Sequence, residues 1–359
     1  MEQVRDTFLK LVRLGAGMSD DVPISEDVQW EEIKNLAEQQ NLVGVILDGI
    51  EALRKQGVNI TLLEKSSMVQ WIGKVLQQEK DYVIKQKAAE EMSLLFHDNA
   101  IRTYVLKGQV VSECYPKPKH RYSVDLDCYL MTDGSFDAWK RGNELIRERG
   151  FKVVLDYYKN STLILPGLVV ENHRYFTPFR GNRSLEQLEK LLQRTMREDK
   201  GEDRFEGTRL YRPPVMVSAL FLIEHSYSHF LHEGLIWRLI LDWMLFSRRH
   251  QDEIDWQQLN TLIDEFGFRK FYDSFSQLGA FLFGEVSEAD LSVTDKLMLE
   301  NIWANLDLHE SVRGIRGKLA LAGNTWCARW KYNLFSDMSW LKALWIQAKG
   351  VLFEKEVRL

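Results

Sequence analysis

A change of period in the middle of the chain sets the strongest limit on its fold. From Tyr104 the sequence runs Tyr-Val-Leu, breaks at Lys107-Gly108 and allows a short helix over Gln109 to Cys114. It then meets a breaker cluster, Tyr115-Pro116-Lys117-Pro118-Lys119. From Ser123 to Leu130 polar and apolar residues alternate, which is the period of a half-buried strand. Residues two apart on a strand share a face, so Asp125 and Asp127 project together while Leu126 and Cys128 point the other way. Two carboxylates side by side repel, and folding tolerates that poorly without a compensating cation. A hard divalent ion suits them, since Mg²⁺ takes one or two carboxylates and completes its shell with phosphate oxygens and water. On repulsion alone, Asp127→Asn is expected to leave the thermal midpoint unchanged or higher.

The rest of the chain surrounds this stretch with helices. Val4, Phe8, Leu9, Leu11 and Val12 recur at helical spacing, and Trp30, Ile33, Leu36, Ala37 and Leu42 set a second amphipathic helix capped near Ser25-Glu26-Asp27. A third spans Val43 to Leu53, and a long fourth runs from about Ile60 to His97. The fourth is rich in Lys, Glu, Gln and Ala, good helix formers whose charges read most simply as a solvated face. Beyond the aspartates, Phe136 to Arg149 reads as a helix stopped by Gly150. Phe151–Tyr158, Ser161–Leu165 and Leu168–Tyr175 read as strands, turned at Lys159-Asn160 and Pro166-Gly167. A short helix over Leu185–Met196 and a mobile loop follow, and from Pro213 the pattern is helical again. The expected architecture is α+β, with helical residues 1–100, a small α/β module at 101–180 and a helical region at 181–359.

Composition excludes several classes. A net charge of -5 gives no global pull toward nucleic acid or anionic membrane. Cys114, Cys128 and Cys327 lack paired spacing, which argues against a disulfide framework or thiolate zinc site and fits a reducing cytoplasm. The N-terminus lacks the apolar core of a signal peptide, and the longest apolar stretch, Val215 to Ile223, is too short to span a bilayer. A cytoplasmic protein without stable membrane association is expected.

The order Leu106-Lys107-Gly108, Tyr115-Pro116, Arg121 and Asp125-Leu126-Asp127 resembles the uncharacterised nucleotidyltransferase family of the DNA polymerase β-like superfamily. The resemblance implies a polymerase β-like α/β module and a Mg²⁺-dependent transfer from an NTP, with Lys107-Gly108 where the superfamily usually carries Gly-Ser. Two ions are possible, held by Asp125, Asp127 and a third carboxylate from a later strand. Glu171 is the preferred third acid, because it lies in a strand-like run with His173 on its face and the family tends to show Glu-x-His there; Asp156 is the rival. Lys107, Gly108, Arg121 and Ser123 are placed beside the phosphates, since glycine admits close backbone approach and the cations match the charge. The resemblance extends to Gly234-Leu235-Ile236-Trp237-Arg238 and Asp242, so His173, His229, Arg238 and Asp242 are expected to shape the pocket or lock the covering helices together.

Two features stay open at this level. His225, His229 and His232 fall on one helix face, but no carboxylate or thiolate accompanies them and the neighbours are core-like, so hydrogen-bonded histidines are expected rather than a transition-metal site. From Arg313 onward nine Lys and Arg stand against three Asp and Glu, with Trp326, Trp330, Trp340 and Trp345 among them. That tail reads first as helices packed on the body; contact with an anionic partner or a membrane surface are the alternatives. The acceptor, whether small molecule, protein or RNA, is not written in the sequence. The competing function is a non-catalytic module that keeps the fold and acts through nucleotide or protein binding. The 215–245 helices are expected to pack across the module opposite the aspartates.

Overall fold

Six strands form one mixed sheet, and their order brings the alternating segment to its centre. In the computed structural model, which describes residues 2–19, 28–57, 65–155, 158–304 and 328–345, these are β1 (Arg102–Val105), β2 (Leu126–Met131), β3 (Lys152–Val154), β4 (Asn160–Leu165), β5 (Leu168–His173) and β6 (Leu210–Tyr211). The spatial order is β3-β4-β5-β2-β1-β6. β1 and β2 are antiparallel, pairing Val105 with Cys128. β2 and β5 run parallel, with Asp127 beside Glu171 and Tyr129 beside His173. A hairpin joins β4 to β5 through Gly167, whose φ of +72° suits glycine at that turn.

Alternation along β2 sorts the two faces of the sheet. Leu126, Cys128 and Leu130 lie with Val170 and Asn172 of β5 on the face covered by α4 (Lys65–His97) and α6 (Ala138–Glu148). There Trp139 Nε1 donates to Asn172 O, and Asn143 Oδ1 accepts from both Ser161 Oγ and Asn172 Nδ2. These bonds satisfy the polar groups that the core layer would otherwise strand. Asp137 caps α6 through Lys140 N at 3.0 Å. The opposite face carries Asp127, Tyr129, Glu171 and His173, and α8 (Val215–His232) packs on it through Phe221.

The N-terminal helices α1 (Glu2–Gly15), α2 (Trp30–Gln39) and α3 (Val43–Lys55) match the helical spacing. α1 and α3 cross very closely: a β-carbon on Gly49 would stand 2.2 Å from Leu11 O, so only glycine admits that approach. The one-turn α5 (Gln109–Ser112) follows β1, and α7 (Arg183–Glu198) precedes β6. After α8, α9 (Trp237–Arg249) begins the packed C-terminal half.

Two expectations change. The sequence predicts a mobile loop after α7, but Leu210 and Tyr211 join the sheet in parallel with Thr103 and Tyr104. The sheet therefore extends past residue 180, because the outer edge of β1 offers unpaired backbone groups and two residues are enough to meet them. The strand expected over Phe151–Tyr158 is Lys152–Val154 in the described residues. The capping stretch Ser25–Asp27, the rival acid Asp156, and the tail residues before Ala328 and after Trp345 lie outside the described residues. Among the described residues no helix is long and apolar enough to cross a membrane.

Candidate active site

The site begins where β1 ends. Gly108 adopts φ +66° and ψ −103°, a conformation that side chains with a β-carbon rarely reach, and this turns the chain sharply from β1 into α5. The turn leaves Lys107 aimed at β2. Its ammonium lies 3.0 Å from Asp127 Oδ2 as an ion pair, and 3.0 Å from His225 Nε2 of α8. A lysine only donates, so His225 accepts through a neutral ring. Burial holds the His225 pKa well below its ordinary value, helped by the charges of Lys107 and His229.

Parallel pairing of β2 with β5 then supplies the second carboxylate. His173 Nε2 lies 3.1 Å from Asp127 Oδ1 and 3.6 Å from Glu171 Oε2. Its Nδ1 faces Tyr175 O at 3.2 Å, and because a carbonyl only accepts, Nδ1 carries a proton. One ligand atom from each of Asp127, Glu171 and His173 lies within 4.8 Å of the others. Asp127 is 1% exposed, whereas Glu171 is half-buried and open on one side.

The electrostatics follow from this packing. Burial pushes the Asp127 carboxyl up, but Lys107, His173 and His225 outweigh it and hold the group well below the usual range. The hydrogen bond from His173 lowers Glu171 against its partial burial. His173 itself is raised, since its two carboxylate partners overcome the cost of burying its charge. Asp125 goes the other way: burial and then the Asp127 charge raise it. Asp127 is therefore a compensated anion, and the charges around it argue against the expectation that deleting its charge is harmless. The repulsion between the aspartates is real, but the attraction to Lys107 and His173 is stronger.

The expected site residues divide among several places. Asp125 stands one residue before β2, outside the Asp127–Glu171–His173 trio, at a small cleft lined also by Gly108, Arg121 and Ser123. Ser123 Oγ donates to Asp125 O at 2.7 Å and steadies that bend. Arg121 is committed mostly elsewhere: Nε and Nη2 grip Asp242 of α9 at 2.8 Å each. Tyr115 Oη adds a 2.6 Å bond to the same carboxylate, and Arg238 Nη1 reaches it at 3.5 Å. Burial raises Asp242, yet Arg121 and Arg238 together hold its pKa below the ordinary value. This buried cluster ties α9 to the segment between β1 and β2. His229, expected at the pocket, pairs with Glu233 at 2.7 Å and meets the His225 ring at 4.4 Å, and His232 Nδ1 donates to Ser228 O.

Sequence reasoning missed two contributors on α8. Phe221 meets the His173 ring edge-on at 5.7 Å, and His225 stacks on Phe221 at 5.9 Å. These residues stand four apart on one face of α8, a spacing present in the sequence, although nothing there said which histidine turns toward the strand. The arrangement offers a carboxylate pair and an imidazole that can take a cation, under a partly apolar roof. No curated protein and no solved structure matches the chain. The profile of the family described as uncharacterised nucleotidyltransferase matches residues 26–284, which takes in the sheet, the Asp127–Glu171–His173 trio and the roofing helices, and the chain belongs to that family.

Proposed function

We propose that the protein transfers a nucleoside monophosphate from an NTP to a hydroxyl of an acceptor, in a reaction that depends on a divalent ion, with Mg²⁺ the ion expected. The observation that carries this reading is the pairing of Asp127 with Glu171 across parallel strands, with His173 beside both. The donor set fits a divalent cation. It combines two carboxylates with an imidazole, and the buried Asp127 Oδ2 already faces one cation, the Lys107 ammonium at 3.0 Å. Asp127 and Glu171 would hold the ion, with Asp125 toward the cleft. Such an ion, once bound, neutralises phosphate charge and lowers the pKa of an attacking hydroxyl.

In the transfer, a bond forms between the acceptor oxygen and the α-phosphorus. The bond from that phosphorus to the oxygen bridging the β-phosphate breaks, pyrophosphate leaves, and the acceptor hydroxyl's proton passes to solvent. The chain's own residues prepare the ground for this. Lys107 fixes Asp127 and adds positive charge beside the turn at Gly108. Gly108 presents no side chain where a phosphate must approach. Phe221 and His225 cover the strand face and limit water, which strengthens every charge interaction beneath them.

The test incubates the full chain with each of four labelled NTPs and Mg²⁺, and asks which NTP binds and which molecule becomes labelled. Transfer of label that disappears in Asp127→Asn supports the reading. Tight NTP binding without label transfer, in the presence of cell extract as acceptor source, would instead favour a nucleotide-binding module.

A further inference from the structure

Helix α4 carries apolar residues on two opposite faces, and the body of the protein covers one of them. Met68, Trp71, Val75, Ala89, Met92 and Phe96 are buried. On the same side Gln78 Nε2 donates to Lys119 O at 3.0 Å, Lys85 donates to Ser123 O, and Lys74 pairs with Glu38. The opposite face points to solvent: Val69 is 68% exposed, Ile72 39%, Leu76 51% and Val83 49%. Val69, Leu76 and Val83 follow one another at the repeat of a coiled-coil seam, with Ile72 beside them. Apolar residues all round a helix mark a buried helix, so this second face has the composition of a covered surface. Gly73, exposed in the middle of α4, agrees. Glycine is a poor helix former, and a β-carbon there would meet no atom within 4 Å, so packing among the described residues does not require it.

We propose that a second copy of the chain docks on this face, with the two α4 helices side by side, parallel and in register, about a twofold axis along their length. The charges beside the seam choose the occupant. With Leu76 on the centre line, the helical turn places Gly73, Lys80 and Lys87 on one flank and Ile72, Glu79 and Glu90 on the other. A parallel twofold lays the basic flank of one helix against the acidic flank of its partner. Lys80 of one protomer then meets Glu79 of the other, and Lys87 meets Glu90, each pair occurring twice, while Val69, Leu76 and Val83 meet their own copies. Ile72 falls against Gly73, where the missing side chain makes room for it. Among the described residues Lys80 has no ion-pair partner, and Glu79 pairs only with His120, at 3.2 Å. An antiparallel pair would lay like flanks together, acid against acid. An anionic lipid surface would be repelled by the same acidic flank.

The experiment is sedimentation equilibrium of the full chain from about 1 to about 200 µM, a range that spans the dissociation constants of weak to moderate dimers. Wild type should dimerise, and Leu76→Glu, at an exposed position, should raise the dissociation constant at least about a hundredfold by setting two like charges face to face in the seam. Lys80→Glu should raise it about tenfold, and Glu79→Lys combined with Lys80→Glu should recover most of that loss, because the flanks are then exchanged and still match. Gly73→Ala separates the dimer from a purely local role: the monomer gains helix propensity, while the added methyl meets Ile72 of the partner and weakens association about tenfold. Melting curves of each variant show that the fold is kept. A wild type that stays monomeric to about 200 µM, or a dimer untouched by Leu76→Glu, overturns the assignment. A double swap no tighter than Lys80→Glu alone overturns the parallel pairing. A monomer that binds anionic vesicles through Leu76 would give the face to a membrane and overturn the assignment as well.

Discussion

Replacing Asp127 with asparagine tests the electrostatic reading of the site without reference to any substrate. The Lys107 ammonium lies 3.0 Å from Asp127 Oδ2 and the His173 imidazole 3.1 Å from Oδ1. With an effective dielectric of about 20, a charge pair at that distance is worth about 5 kcal/mol. Glu171, whose ligand atom lies no farther than 4.8 Å away, opposes this with at least about 3.5 kcal/mol by the same arithmetic. Two attractions therefore outweigh one near repulsion, and the more distant Asp125 does not reverse the sign. Removing the charge also relieves the cost of burying it, and the amide keeps one acceptor for His173. The net loss should thus fall near the low end of the range for removing one partner of a buried pair, about 3 kcal/mol. Urea unfolding at neutral pH measures it as a lower midpoint at unchanged slope. Lys107→Met in the same background should recover a large part of the loss, because no buried charge is then left alone. An Asp127→Asn protein as stable as wild type, or more so, would show that carboxylate repulsion governs the site and would refute this account.

Three further outcomes follow from named contacts. Asp242→Ala leaves Arg121 and Arg238 facing each other in a buried place and should cost about 3–5 kcal/mol in urea unfolding, while Arg121→Met and Arg238→Met combined with Asp242→Leu should cost much less, because no buried charge is then left alone. Gly108→Ala meets no atom closer than 3.9 Å, so its cost is backbone strain at φ +66°, about 1–3 kcal/mol by the same measurement. His120 is 5% exposed between Asp48 at 2.7 Å and Glu79 at 3.2 Å, and these partners raise its pKa above 6.5 despite its burial. A raised folded-state pKa contributes stability that is complete below 6.5 and fades as pH rises through the raised value. The gap in thermal midpoint between wild type and His120→Asn should therefore be widest below the ordinary value of 6.5 and narrow as pH rises through the raised one.

The fold was largely legible because it is written in local period. Alternation from Ser123 to Leu130 marked β2, Pro166-Gly167 marked the hairpin, and Gly150 marked the end of α6. These signals need only neighbours a few residues apart. β6 escaped notice for the same reason: two residues carry no period, and their reason to be extended is the edge of β1, more than a hundred positions earlier. The position of Glu171 was partly legible, since its spacing from His173 placed both on one strand face. That this strand lies beside β2, in parallel and in a register that sets Glu171 against Asp127, is a long-range choice that no single segment states.

The roles of the cations were the least legible, for a physical reason. A positive side chain in a sequence shows its charge and its reach but not which anion it will meet, and burial decides that. Arg121 looked like a phosphate ligand because of its place between the turn and the aspartates. Folding brings Asp242 to it from α9, and a bidentate carboxylate inside the core binds two of its nitrogens more firmly than water does. Lys107 was read in the same terms, and in the fold its ammonium pairs with Asp127. Lys85 sat in a helix whose many charges suggested solvent on every side, yet the spacing of Tyr82, Lys85 and Gln86 already defined a face. What was missing was a reason for that face to be covered. The turn at Gly108 and the bend at Ser123 supply it, because together they bring the sheet's end against α4 and turn an ordinary surface lysine into one wall of a cleft.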